Sequence, residues 1–128
     1  MIDNPAWCFI GTDDKKTFEV IKEVHGKYPD NVVQLKITEA EFVKYFSNTY
    51  NAALITFANN FYEICKKMGV DYTNVKDAVV HRSHINDQYL DCNDNCRGFG
   101  GVCLPKDTKG LSNLADELGL DGELFKTI

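Results

Sequence analysis

The residues able to do chemistry crowd into Arg97–Asp107, which reads R-G-F-G-G-V-C-L-P-K-D. Glycines let a backbone approach a ligand closely or adopt a positive φ. A thiol at the end of such a run, Cys103, stands beside whatever the loop cradles. Lys106 and a helix beginning beyond Pro105 are surroundings that favour a thiolate. The stretch is therefore a candidate nucleophile with a backbone-lined substrate pocket. It also reads as a glycine-rich turn holding a buried cysteine, the commoner fate of that residue type. Asp107, four residues on, would lie over the same face of a first helical turn. A carboxylate near a helix start also serves as an ordinary electrostatic cap.

Further residue sets invite a chemical reading. Lys44 and Asn48 are four apart and project from one face of a helix. The plain role for Lys44 is a solvated amine paired with Glu41. His81, His84, Cys92 and Cys96 offer four zinc-ligating atoms, but H-x2-H-x7-C-x3-C is not a zinc-site spacing we recognise. Asp91, Asn93 and Asn95 imitate the start of a calcium loop. No glycine follows at its sixth position and no glutamate at its twelfth. No metal is expected.

Four stretches of chain must position these groups. Trp7–Ile10 is a short apolar run stopped by Gly11, the pattern of a buried strand. Thr12 or Asp13 caps a helix whose Phe18, Val20, Ile21 and Val24 form an apolar stripe. Gly26 and Pro29 close it, and Val32–Ile37 alternates as a second strand. Strand, helix and strand make a β-α-β unit, yet two parallel strands are a poor free-standing sheet. Thr38 and Glu41 fit a capping box, and no proline or glycine then intervenes until Gly69. Some 30 residues at 1.5 Å rise give a rod of roughly 45 Å. Phe42, Phe46, Ala53, Phe57, Ile64 and Met68 lie along one side of it. That is more apolar surface than a small domain covers alone, which points to burial against a second subunit. The rival arrangement wraps the rod with the C-terminal helices of the same chain. A short helix follows Asp71, then a polar segment from Ser83 to Cys96 expected to order on binding. Leu111, Leu114, Ala115 and Leu118 have helical spacing, ended by Gly119, and one more short helix begins near Leu120.

Composition narrows the class. The chain has 128 residues, 44% apolar and 26% charged, ordinary usage for a modest globular core. A net charge of −5 disfavours a nucleic-acid partner. No run is long enough to span a bilayer, and M-I-D-N-P is not the opening of a signal peptide. Five cysteines without secretory features suggest a reducing, cytoplasmic setting.

Two blocks carry a resemblance. G-F-G-G-V-C-L-P-K-D resembles the signature of the UDP-glucose/GDP-mannose dehydrogenase family. Glu41-Phe-Val-Lys44-Tyr-Phe-Ser-Asn48, continuing through Thr56-Phe-Ala-Asn59-Asn60, resembles that family's central helix. The likeness spans nearly all of this chain but only the middle of a family enzyme. It implies a mainly α fold: a helical dimerisation domain over residues 38–128, built on one long central helix. Residues 1–37, with N-P-x-x-x-x-I-G-T-D-D, would be a short β-α-β remnant of a Rossmann-type, NAD-binding domain. The dinucleotide fingerprint G-x-G-x-x-G is not among these residues.

The resemblance also implies roles. Cys103 would be the thiolate that attacks an aldehyde, giving a thiohemiacetal and then a thioester. Lys44 and Asn48 would approach the reacting carbon and stabilise an oxyanion. Asp107, with Lys44, would assist proton transfer and order the hydrolytic water. Arg97, Phe99, Gly100 and Gly101 would bind substrate, and Lys106 the cofactor, NAD. Many members carry an Asp-x-Arg-Ile run whose arginine reaches the neighbouring subunit's nucleotide. Here Arg82-Ser-His84-Ile85 stands in its place, and histidine does not replace arginine's bidentate phosphate grip. The implied activity is oxidation of a nucleotide-sugar C6 alcohol to a carboxylate, most simply on UDP-glucose. Alone, the chain is expected to be inactive for want of a nicotinamide site, working in a homodimer with separately encoded N- and C-terminal domains. The rival is a non-catalytic dimerisation or scaffold module of the same descent.

Overall fold

The computed structural model describes residues 7–128. Asn4 and Pro5, which open the stretch compared with the end of an NAD-binding domain, lie outside the described residues, as does the rest of the M-I-D-N-P start. The chain divides into two compact units, residues 1–46 and 47–128. It is mainly helical, on one long helix preceded by two parallel strands, as the sequence predicts.

In the first unit, β1 (Trp7–Gly11) pairs in parallel with β2 (Asn31–Leu35), from Trp7 opposite Asn31 to Gly11 opposite Leu35. Parallel strands need a crossover, which α1 (Lys15–His25) supplies. The helix is capped by Asp14 rather than by Thr12 or Asp13. Thr12 instead accepts the Asp14 amide through its hydroxyl at 3.1 Å, so the turn is one residue longer than predicted. Ile10 and Phe18 are the unit's buried apolar side chains among the described residues. Gly11 passes close to the next helix: a Cβ there would sit 3.0 Å from the Ala40 Cβ and 3.1 Å from the Ile37 Cα.

The long helix α2 runs from Ile37 to Met68. It opens directly after β2, so its third residue is Glu39. The Glu39 carboxylate reaches back to the Lys36 amide at 2.9 Å, which is the return half of a capping box. The predicted Thr38–Glu41 box is displaced by two residues for that reason.

In the second unit, α2 buries small side chains: Ala52 and Ala58 are fully enclosed and Thr49 and Cys65 nearly so. Small residues let other segments approach the rod closely. Asp71 caps α3 (Tyr72–Val79) by accepting the Thr73 amide at 2.9 Å. Ala58, Cys65, Tyr72, Leu90 and Cys92 form one buried cluster, with Leu54, Tyr62, Val80 and Ile85 against it. The segment 83–96, expected to order only on binding, is thus tied into the core. The Tyr72 hydroxyl donates to the Leu90 carbonyl at 2.7 Å, and Lys76 Nζ lies 2.8 Å from Asp87 and 3.0 Å from Asp91. Asn93 and Cys96 exchange two backbone bonds of 3.1 Å.

Helix α4 (Cys103–Glu117) begins before Pro105, not beyond it. Proline at the third helical position loses nothing, because that N–H has no intrahelical acceptor. The last element, α5 (Glu123–Thr127), is reached through Gly122. No helix among the described residues is long and apolar enough to cross a membrane.

Candidate functional site

The site is built where the glycine-rich loop meets α2 and runs into α4. Cys103 is the first residue of α4 and is exposed. Asp107 stands one turn further in, and only 1% of it is accessible. A charge so deeply buried needs partners. Asn48 donates its side-chain amide to the Asp107 Oδ2 at 2.6 Å, across 59 residues of sequence. The Lys106 ammonium lies 3.3 Å from the other carboxylate oxygen. The predicted residues Asn48, Asp107 and Lys106 therefore meet in one cluster, with Cys103 four residues before its carboxylate. Lys44 lies on the first unit's part of α2, four residues before Asn48.

The loop itself needs glycine at two positions. Gly98 has φ +64 and Gly101 has φ +78, a region that side chains disfavour. A Cβ placed on Gly100 or Gly101 would meet nothing within 4 Å, so open space borders the loop. Phe99 turns toward α4 and α5, where it lines a cavity of about 430 Å³ with Pro105, Ser112 and Phe125. Arg97 is engaged on α2: it pairs with Glu63, donates to Asp94 at 2.9 Å and lies 4.8 Å above the Tyr62 ring. The Glu63 bond, foremost, raises its affinity for its proton. Asp94 is held below the usual carboxylate range, chiefly by Lys66.

Two contacts of one side chain were not read from the sequence. Asn59 of α2 accepts the Gly98 amide at 3.0 Å and the Cys92 thiol at 3.5 Å. A signal was present, because asparagine is a poor residue for a helix interior and its presence hints at another task. His81, His84, Cys92 and Cys96 form no metal-holding group: among the described residues no three His, Cys, Asp or Glu are so grouped. His84 instead borders an apolar groove of about 330 Å³ with Leu54, Phe57, Tyr72 and Leu90.

A dinucleotide diphosphate would ordinarily seat at a strand-to-helix turn on free amides. At the turn between β1 and α1 those amides are taken. The Asp14 carboxylate accepts Lys16 N at 3.3 Å and Thr17 N at 2.8 Å. The Thr17 hydroxyl and these amides hold Asp14 below the usual carboxylate range, so a second anion is repelled there. This turn does not fit a dinucleotide.

Comparison with known proteins places the arrangement. The model of the UDP-glucose/GDP-mannose dehydrogenase family, central domain, matches residues 38–128. The chain is 35% identical over 119 residues to the UDP-glucose 6-dehydrogenase YwqF of Bacillus subtilis, covering 93% of this chain and 26% of that protein. It is 32% identical over 128 residues to the GDP-mannose 6-dehydrogenase of Pseudomonas aeruginosa, covering 98% and 29%. Among solved structures, a UDP-glucose dehydrogenase from Pyrobaculum islandicum superposes with a TM-score of 0.88 at 33% identity, covering 97% of this chain and 28% of that one. The chain thus spans about a quarter of the length of the curated relatives it matches.

Proposed function

This chain belongs to the UDP-glucose/GDP-mannose dehydrogenase family, and from that premise we propose that it supplies the central catalytic domain of a nucleotide-sugar 6-dehydrogenase, of the UDP-glucose type. The observation that carries the reading is the Asn48–Asp107 bond of 2.6 Å. It joins the two motif blocks and puts a buried carboxylate one helical turn from an exposed thiol.

The chemistry is the one that membership of the family implies for these residues. The chemistry that NAD would supply when bound is acceptance of a hydride at each of two oxidations of the sugar C6. The turn between β1 and α1 does not fit it, and Lys106 is the residue of this chain that would contact it. The C6 aldehyde is attacked by the Cys103 thiolate, forming a C–S bond, while its oxygen becomes an oxyanion. Lys44 and Asn48 donate to that oxygen, and a proton completes the thiohemiacetal. After the second oxidation the carbon is a thioester. Water ordered by Asp107 and Lys44 adds to it, the C–S bond breaks, and carboxylate and thiolate are released. Arg97, Phe99, Gly100 and Gly101 form the substrate side of the loop. The chain works as a homodimer through α2, in the cytoplasm.

A second reading keeps only the dimerisation role. It is favoured by the apolar side chains that α2 leaves exposed, which need no catalytic group to explain them. NAD reduction with UDP-glucose decides between the two. The chain alone is expected to give none, and mixing it with N- and C-terminal domains of a relative is expected to restore it. Cys103→Ala should abolish the restored activity. Silence in every mixture, or activity that survives the substitution, would leave the scaffold reading standing.

A further inference from the structure

We propose that Asn59 is a positioning residue, one whose side-chain amide fastens the entrance of the glycine-rich loop to α2 and so sets how Cys103 is presented. The proposal rests on the reading of Cys103 as the nucleophile. The Asn59 Nδ2 donates to the Ile55 carbonyl at 2.7 Å. Its Oδ1 accepts the Gly98 amide at 3.0 Å and the Cys92 thiol at 3.5 Å. Both lone pairs of one oxygen are thus used. Turning the amide over would set a donor against two donors, so the orientation is fixed by its neighbours. Burial pushes the Cys92 thiol up, which keeps it protonated and donating.

The second fastening lies on the same helix. Asn48 binds Asp107 at 2.6 Å, eleven residues before Asn59. Eleven residues are about three turns and roughly 16 Å of rise, so both amides share one face of α2. The stretch from Gly98 to Asp107 is therefore held at each end by an asparagine on one rigid rod, and Cys103 lies between the two. The left-handed Gly98, at φ +64, is the residue that turns its N–H toward Asn59. Arg97, one residue earlier, adds its ties to Glu63 and Asp94. A helix residue whose only task was its own Ile55 bond would have no such reach.

The test uses this chain, its Asn59→Ala variant and its Asn59→Asp variant, which keeps an acceptor for Gly98. Two readouts are amide exchange at Gly98 against Thr73, which is capped elsewhere, and alkylation of Cys103 by iodoacetamide against exposed Cys96 in the same molecule. Asn59→Ala should speed Gly98 exchange about fivefold or more relative to Thr73. The Cys103-to-Cys96 labelling ratio should fall about threefold as the start of α4 frays. Asn59→Asp should keep both near the parent values. A Gly98 amide unprotected in the parent chain would overturn the proposal without any variant, which covers an alanine variant that fails to fold. A freed Gly98 with an unchanged labelling ratio would overturn it equally. Failure of the catalytic reading looks different: Cys103→Ala would keep the restored oxidation while the Gly98 result stood.

Discussion

At the scale of single residues, Tyr72 ties the middle segment to the core. It is 8% exposed, meets Tyr62 edge-on at 5.8 Å and donates to the Leu90 carbonyl. Burial, first, lifts its phenol above the ordinary 10.0, and burial likewise lifts Cys92 above 9.0. A raised value in the fold means that the native state holds the proton more tightly than the unfolded chain. Stability is therefore full below the ordinary value and declines as pH rises past it. Tyr72→Phe should cost roughly 1 kcal/mol at neutral pH through the lost hydrogen bond. It should also flatten the fall in melting temperature above about pH 9.5. Thermal melts across pH 7 to roughly 10.5 check both; an equally steep alkaline limb would remove Tyr72 as a cause. Asn48 and Asp107, which the structure joins, stand in the two motif blocks that the sequence singles out. The contacts of Asn59 and Leu90 were not legible, because each is made with a partner distant in sequence.

At the scale of elements, α2 presents different chemistry on different sides. At 100° per residue, Asn48 and Asn59 fall roughly opposite Phe57 and Ile64. Phe57 and Ile64 are exposed, while Ala52 and Ala58 are enclosed. Periodicity revealed the large apolar stripe, but size decided which residues the chain itself buries. Small side chains permit close approach and large ones stand off. The pairing of α4 with α5 depends on such an approach. A Cβ on Gly122 would lie 2.9 Å from the Ala115 Cβ, and the Gly122 φ of −104 is open to any residue. Gly122→Ala should thus destabilise through the clash alone, by about 1–3 kcal/mol in a urea titration. A variant within error of the parent would mean that α5 yields freely.

At the scale of the whole molecule, Phe57, Ile64 and Met68 are 62%, 59% and 73% exposed on one helix. Side chains of this size in a row mark an association surface. Sedimentation should find the 14.5 kDa chain at twice its mass. Phe57→Glu combined with Ile64→Glu should weaken that association about 100-fold or more. A parent chain that stays monomeric at high concentration would count against pairing through α2. The sequence by itself determined the helical class and the long rod, because helix periodicity and glycine position are local properties of a chain. Only the tertiary structure decided that Asn48 meets Asp107, that Asn59 holds Gly98 and that segment 83–96 enters the core. The first two contacts join residues 59 and 39 apart, and a hydrogen bond at that separation is set by how elements pack, which no local pattern encodes.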